Sequence, residues 1–182
     1  MLGFSAQNVG ELTEAQLARE VGLLAPRAVE RAERSAISRT LSNVRTEISK
    51  TVRRDLALKA RTVTSVLKLD RRRGEITVKA RAVPLKEYGA SRARRWVSVR
   101  VKKSRGRRRV AGGFMPMSLG GHVFKRVGRA RLPIKKLFGP SVVGELSKHT
   151  RHIEQFGRQR FEHHMASRLR WEVQKFFRRR SK

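Results

Sequence analysis

The sequence predicts an α+β chain: N-terminal helices, a central antiparallel sheet of about four strands carrying a basic hairpin, and a long C-terminal helix. Three observations predict it. Apolar residues recur mostly at every fourth position from Ala28 to Val52, as on one face of a helix. Between Ile76 and Val127 the pattern changes to alternation broken by Gly and Pro, as in short strands joined by turns. After Gly139-Pro140-Ser141 helical spacing returns and holds as far as Phe176.

Leu12, Leu17, Val21 and Leu24 predict an amphipathic helix over 11–25, with Thr13 as its cap and Glu14 in the first turn. Pro26 opens a new helix or kinks the chain. From Arg27 a longer helix carries Ala28, Ala32, Ile37, Leu41, Val44, Ile48 and Val52 on one face. Arg31, Arg34, Arg39, Arg45 and Lys50 lie opposite, partly offset by Glu30, Glu33 and Glu47. The small residues Ala28, Ala32, Ser35 and Ala36 permit close approach, by the chain's own core or by a neighbouring subunit.

From Asp55 to Leu67 a second helix and a strand compete, because Thr62, Val63, Thr64 and Val66 favour extended backbone. Asp70-Arg-Arg-Arg-Gly74 is a turn. Ile76, Val78, Ala80 and Ala82 then alternate with polar residues as a half-buried strand that Pro84 ends. Val97, Val99 and Val101 form another strand, and Lys102–Arg109 a hairpin tip or mobile loop. Strands are expected within 110–117 and 122–127, with bulges or turns at the glycine pairs 112–113 and 120–121. The last helix runs from about His149 to Arg179 on a stripe of Ile153, Phe156, Phe161, Met165, Leu169, Val173 and Phe176. We read residues 1–182 as one domain: an N-terminal helical arm (1–25), helices (26–67), a basic β-region (68–138) and a C-terminal helical region (139–182).

Charge dominates the composition. There are 45 Lys+Arg against 14 Asp+Glu, a formal net charge of +31, beyond what solubility asks. From Tyr88 to Gly144 no acidic residue occurs at all. Such a stretch repels itself unless solvent or a negative partner takes up the charge. Nucleic acid and an acidic protein surface are the candidate partners. A membrane is not expected, since no apolar run approaches the about 20 residues of a spanning helix, and Met1–Ser5 lacks the make-up of a signal peptide. Hydrophobic residues make up 38% and aromatics 6%, so the core is modest and stability drawn from neighbours in an assembly is expected.

Catalysis and cofactors find little support. Without cysteine, disulfides, thiol chemistry and Cys-based zinc sites are excluded. No Gly-x-Ser-x-Gly turn, phosphate-binding loop or dinucleotide fingerprint occurs. His149 and His152 have helical spacing, and His163-His164 follow, but Glu145 and Glu162 are near them in sequence only; no metal site is expected. The basic hairpin is the strongest signal: Lys and Arg clusters neutralise phosphates without reading sequence. Arg100, Lys102, Lys103, Arg105, Arg107, Arg108 and Arg109 are the expected contacts to DNA or an acidic partner, against the plainer reading of a solvated loop. Aromatics nearby are sparse (Tyr88, Trp96, Phe114), which argues against a base-stacking platform.

Arg131-Leu-Pro-Ile-Lys-Lys-Leu-Phe-Gly-Pro-Ser141 resembles the segment before the last helix in the minor tail protein Z family, the lambda-type tail completion proteins of tailed phages. The order of elements over about 25–180 is similar too. The resemblance implies a non-enzymatic structural protein of the virion tail or neck, assembled in the host cytoplasm. It implies a sixfold or twelvefold homo-oligomeric ring at the head-proximal end of the tail, joining tail to head. The implied neighbours are tail terminator, tail tube or head–tail connector proteins, with genomic DNA in the channel. Lys135, Lys136, Phe138, Gly139 and Pro140 are the expected protein-docking residues. The alternative is a stand-alone, sequence-independent nucleic-acid-binding protein.

Overall fold

The computed structural model describes residues 26–180 except Arg95, together with Arg19 and Gly22. The helix expected over 11–25 lies outside the described residues, apart from Arg19 and Gly22, which are helical. The chain divides into two compact units, one of residues 1–44, 69–75 and 154–182, the other of 45–68 and 76–153. Helix α1 (Pro26–Asp55) supplies both, as does the last helix, α4 (Thr150–Arg180).

In the first unit α1 and α4 pack antiparallel, since Ala28 meets Val173 while Val44 lies beside Gly157. Val29, Phe176 and Phe177 close around the Ala28–Val173 contact. Ala28, Ala32 and Ala36 are buried, so the small-residue face serves the chain's own core here. Arg31 Nη2 donates to Glu172 Oε2 at 3.3 Å, and Asn43 Nδ2 lies 2.8 Å from His164 Nε2. The turn at Asp70–Gly74 forms as expected: Asp70 Oδ1 accepts from the backbone N–H of Arg72 (3.0 Å) and Arg73 (3.1 Å). Gly74 has φ +71°, so a side chain there would be strained by the backbone, although a Cβ would meet Ile37 Cγ2 at an ordinary 3.5 Å.

Over 55–67 the helix prevails at Thr62, Val63 and Thr64, and strand begins only at Leu67. A five-residue helix α2 (Ala60–Thr64) is followed by β1 (Leu67–Asp70), which pairs with β2 (Glu75–Val78). The strand expected as far as Ala82 stops at Val78, because Ala80 and Ala82 are exposed and bury nothing. Pro84 lies inside the two-residue strand β3 (Val83–Pro84), which pairs with β10 (Phe138–Gly139).

The strand residues of the second unit gather into small antiparallel sheets in place of one central sheet. One is β4 (Ser91–Arg92), β5 (Val97–Val99) and β6 (Arg108–Val110); another is β7 (Gly113–Phe114), β8 (Phe124–Arg126) and β9 (Ile134–Lys136). Gly106, Gly112, Pro116, Gly128 and Pro133 interrupt the region between β5 and β9, and the strands stay too short to extend a common ladder. Gly112, Gly120 and Gly121 all have positive φ, so the glycine pairs do mark turns. Leu56, Val52, Val63, Tyr88, Val97, Val123 and Val142 are fully buried in this unit. Ser141 Oγ caps α3 (Val142–Leu146) by accepting from the Gly144 N–H at 3.1 Å. No helix among the described residues is long and apolar enough to cross a membrane.

Candidate polyanion-docking surface

Alternation along β5 buries Val97 and Val99 and turns Ser98 to the other side, opposite Ser91 and Arg109 in the ladder. Arg107 folds back onto that side. Its Nη2 donates to the Gly89 carbonyl (2.8 Å), Ser91 Oγ (2.7 Å) and the Ser98 carbonyl (3.1 Å), and its Nε to Ser98 Oγ (3.2 Å). Arg107 is therefore a clamp on its own hairpin as well as a charge. Arg100 likewise donates to the Lys103 carbonyl. Half-buried Lys102 bridges to Leu56, and the Lys103 N–H donates to the Asp55 carbonyl at 2.8 Å, which anchors the hairpin base to the end of α1. Arg105, Arg108 and Arg109 are exposed. The seven residues thus share one hairpin, but some hold it together while others are left facing solvent.

Across β8 and β9, Lys125 stands directly opposite Lys135. Like charges at such a pair destabilise a sheet unless an anion lies between or above them. Lys136 Nζ lies 5.6 Å from the ring centroid of Phe138, which is 49% exposed. Half-buried Gly139 and exposed Pro140 both also meet Tyr88. A Cβ on Gly139 would stand 2.6 Å from Tyr88 Cε2, and the Tyr88 hydroxyl donates to the Pro140 carbonyl. Each residue of Gly139-Pro140-Ser141 thus serves the chain itself. Gly139 makes room for the ring, Pro140 accepts from its hydroxyl, and Ser141 caps the next helix. Burial, then Glu145, pushes the Tyr88 phenol up to about 12.

The acidic residues of this unit are Glu47, Asp55, Glu87 and Glu145, and each is engaged. Glu47 meets His152 (3.3 Å), Asp55 meets His149 (2.8 Å), Glu87 accepts from Thr62 Oγ1 (2.8 Å) and Glu145 holds Lys148 (2.9 Å). Among the described residues, no lysine or arginine between Tyr88 and Gly144 stands in an ion pair. Partly buried His122, its Nδ1 without a hydrogen-bond partner, is held below the ordinary histidine value by desolvation first, then by Lys136 and Lys86.

Two groupings escaped the sequence reading. Asp55, Glu145 and His149 come together with ligand-capable atoms within 4.8 Å of one another, so Glu145 is a spatial neighbour of His149 as well as a sequence one. Lys148 Nζ takes both Glu145 oxygens at 2.9 Å, which makes the group an ion-pair cluster that ties α1 to the start of α4. The other is a cavity of about 280 Å³ lined by Trp96 and Phe114 with Arg92 and Arg94. No spacing signalled it, because the two aromatics stand on different sheets.

No curated protein and no solved structure matches the chain. The model of the prophage minor tail protein Z family matches residues 15–180, nearly the whole chain. The resemblance carried by the Leu-Pro-Ile and Gly-Pro-Ser segment therefore holds over the full α+β fold, and the chain belongs to the prophage minor tail protein Z family.

Proposed function

We propose that this protein, a structural component of a phage tail by family, acts as a tail completion or neck protein. Copies assemble in the host cytoplasm as a sixfold or twelvefold ring at the head-proximal end of the tail. The ring joins tail to head through neighbouring terminator, tube or connector proteins. Its basic unit meets genomic DNA or an acidic neighbouring ring. The observation that supports this reading is the absence of ion pairs for the described Lys and Arg residues of 88–144, while every acid of that unit is already engaged. Charge that the chain does not neutralise itself is available to an external polyanion.

The role is assembly, without a chemical step. Duplex DNA carries one charge per about 1.7 Å of axis, so a basic ring grips it without sequence preference. Exposed Arg105 and Arg108 carry the contact, and Lys125 and Lys135 gain most from an anion.

The test is complementation of a phage lacking this protein with an Arg105→Glu/Arg108→Glu variant. Tails incorporating the variant are expected to form but not to join heads, and infectious titre to fall by at least about tenfold. Normal titre with the variant present in purified particles would overturn the contact. Tight duplex binding by the free protein, with no uptake into tails, would favour the stand-alone nucleic-acid-binding reading instead.

A further inference from the structure

The cavity between the two three-stranded sheets is built for a different kind of contact from the rest of the basic surface. Arg92 and Arg94 line it from β4 and the turn after it, Trp96 from just before β5, Val97 from its first position, and Phe114 and Pro116 from β7 and beyond. Trp96 remains 43% exposed. Arg109, which does not line the cavity, stacks on the indole with Cζ 5.1 Å from its centroid. Arg126 lies 5.9 Å from the Phe114 centroid. No acidic residue is among the described residues lining it.

Two aromatic residues and two arginines lining one cleft match a ligand with a flat π-face and a phosphate. We propose that the cleft takes an unpaired nucleobase of single-stranded nucleic acid, with Trp96 as the stacking surface and Arg92 and Arg94 on the adjoining phosphates. The proposal rests on the polyanion reading above and adds a single-stranded ligand to it. Duplex DNA offers phosphates to a basic face but keeps its bases stacked on one another, with no free face for an indole. A carboxylate-rich peptide meets arginines equally well but has no use for the aromatic pair. An unstacked base uses both, and stacking on an aromatic is sequence-tolerant because every base has a π-face. The fold brings Trp96 and Phe114 to one cleft, where the sparse aromatics of the sequence argued against a base-stacking platform.

Trp96 and Trp171 are the only tryptophans, so Trp171→Phe leaves one reporter. In that background three ligands are titrated at equal charge: an oligothymidylate of about 10 nucleotides, a duplex, and polyglutamate. The single strand is expected to quench Trp96 fluorescence saturably, and the duplex to bind without that quench. In anisotropy titrations of the labelled single strand, Trp96→Ala is expected to lose about tenfold in affinity with the salt slope unchanged, and Trp96→Phe to restore most of it. Arg92→Glu/Arg94→Glu is expected to lower the slope. Equal quenching by duplex or polyglutamate, or unchanged single-strand affinity in Trp96→Ala, would overturn the stacking site while leaving the basic contact standing. Absence of binding to either nucleic acid at low salt would overturn both the stacking site and direct DNA contact.

Discussion

Gly139 and Arg107 show how a residue picked out for contact can also be needed by the fold. Tyr88 is 1% exposed, and its ring fills the space a Cβ on Gly139 would take. Gly139→Ala therefore displaces a side chain tied by its own hydroxyl to Pro140. We expect a loss of about 1–3 kcal/mol, read as a lower thermal midpoint by differential scanning calorimetry. Tyr88→Phe should cost about 1 kcal/mol at neutral pH. It should also remove an alkaline signature. The folded-state phenol is raised to about 12 from an ordinary value of 10.0, so its contribution is complete below pH 10.0 and lost as pH rises through about 12. Calorimetry across that window should show a steeper decline for the native protein than for Tyr88→Phe. Arg107→Ala breaks four bonds that hold the Gly89–Ser98 side of its hairpin, whereas Arg105 has no side-chain partner among the described residues. The first substitution should lower the midpoint by several degrees and the second leave it within about 0.5 kcal/mol of native stability. Equal effects would show that Arg107 is not a clamp. This division of labour was illegible in sequence, where all seven hairpin cations look alike.

At the scale of elements, periodicity reported what burial enforces and stayed silent where burial is weak. Helices α1 and α4 were legible because Ala28, Leu41, Ile48, Val52 and Val173 must all reach a core. The division of the β-region into small sheets was not, because it buries few residues and its strands are two to four residues long. Pairings such as β3 with β10 close across about fifty residues, and alternation alone does not encode which strands pair. The same long-range closure hid the Trp96–Phe114 cleft and brought Asp55 to His149. Between the two long helices, His164 is held below the ordinary histidine value by burial first, then by His163, Arg39 and Arg160. Its Nε2, 2.8 Å from Asn43 Nδ2, is best used as an acceptor, which requires the neutral ring. A depressed folded-state value means that this contribution is present above the unfolded value of 6.5 and lost as pH falls through the folded one. His164→Gln keeps a hydrogen-bonding side chain but does not titrate. Its thermal midpoint should fall less than that of the native protein between pH 7 and pH 5, and parallel curves would rule out His164 as the cause.

For the whole molecule, electrostatics sets the terms on which the fold exists alone. Ion pairs of the first unit, such as Arg31–Glu172 and Arg34–Glu30, use acids already counted in the net charge of +31, which stays unneutralised within the chain. In the second unit Lys125 faces Lys135, and the basic stretch has no ion pair among its described residues. Self-repulsion should therefore be the largest adjustable cost of the free chain. Salt shortens its reach, from a Debye length of about 30 Å at 0.01 M to about 10 Å at 0.1 M. The same salt weakens exposed attractive pairs, each worth only about 0–1 kcal/mol. Repulsion is summed over many cations and attraction over few pairs, so relief of repulsion wins. The thermal midpoint of the purified protein should rise between those two salt concentrations. A polyanion such as heparin at low salt should raise it further, because it binds the folded basic surface and draws the equilibrium toward it. A midpoint that falls on adding salt would mean that the attractive pairs dominate, and the case for an external anion as the missing partner of this surface would lose its physical basis.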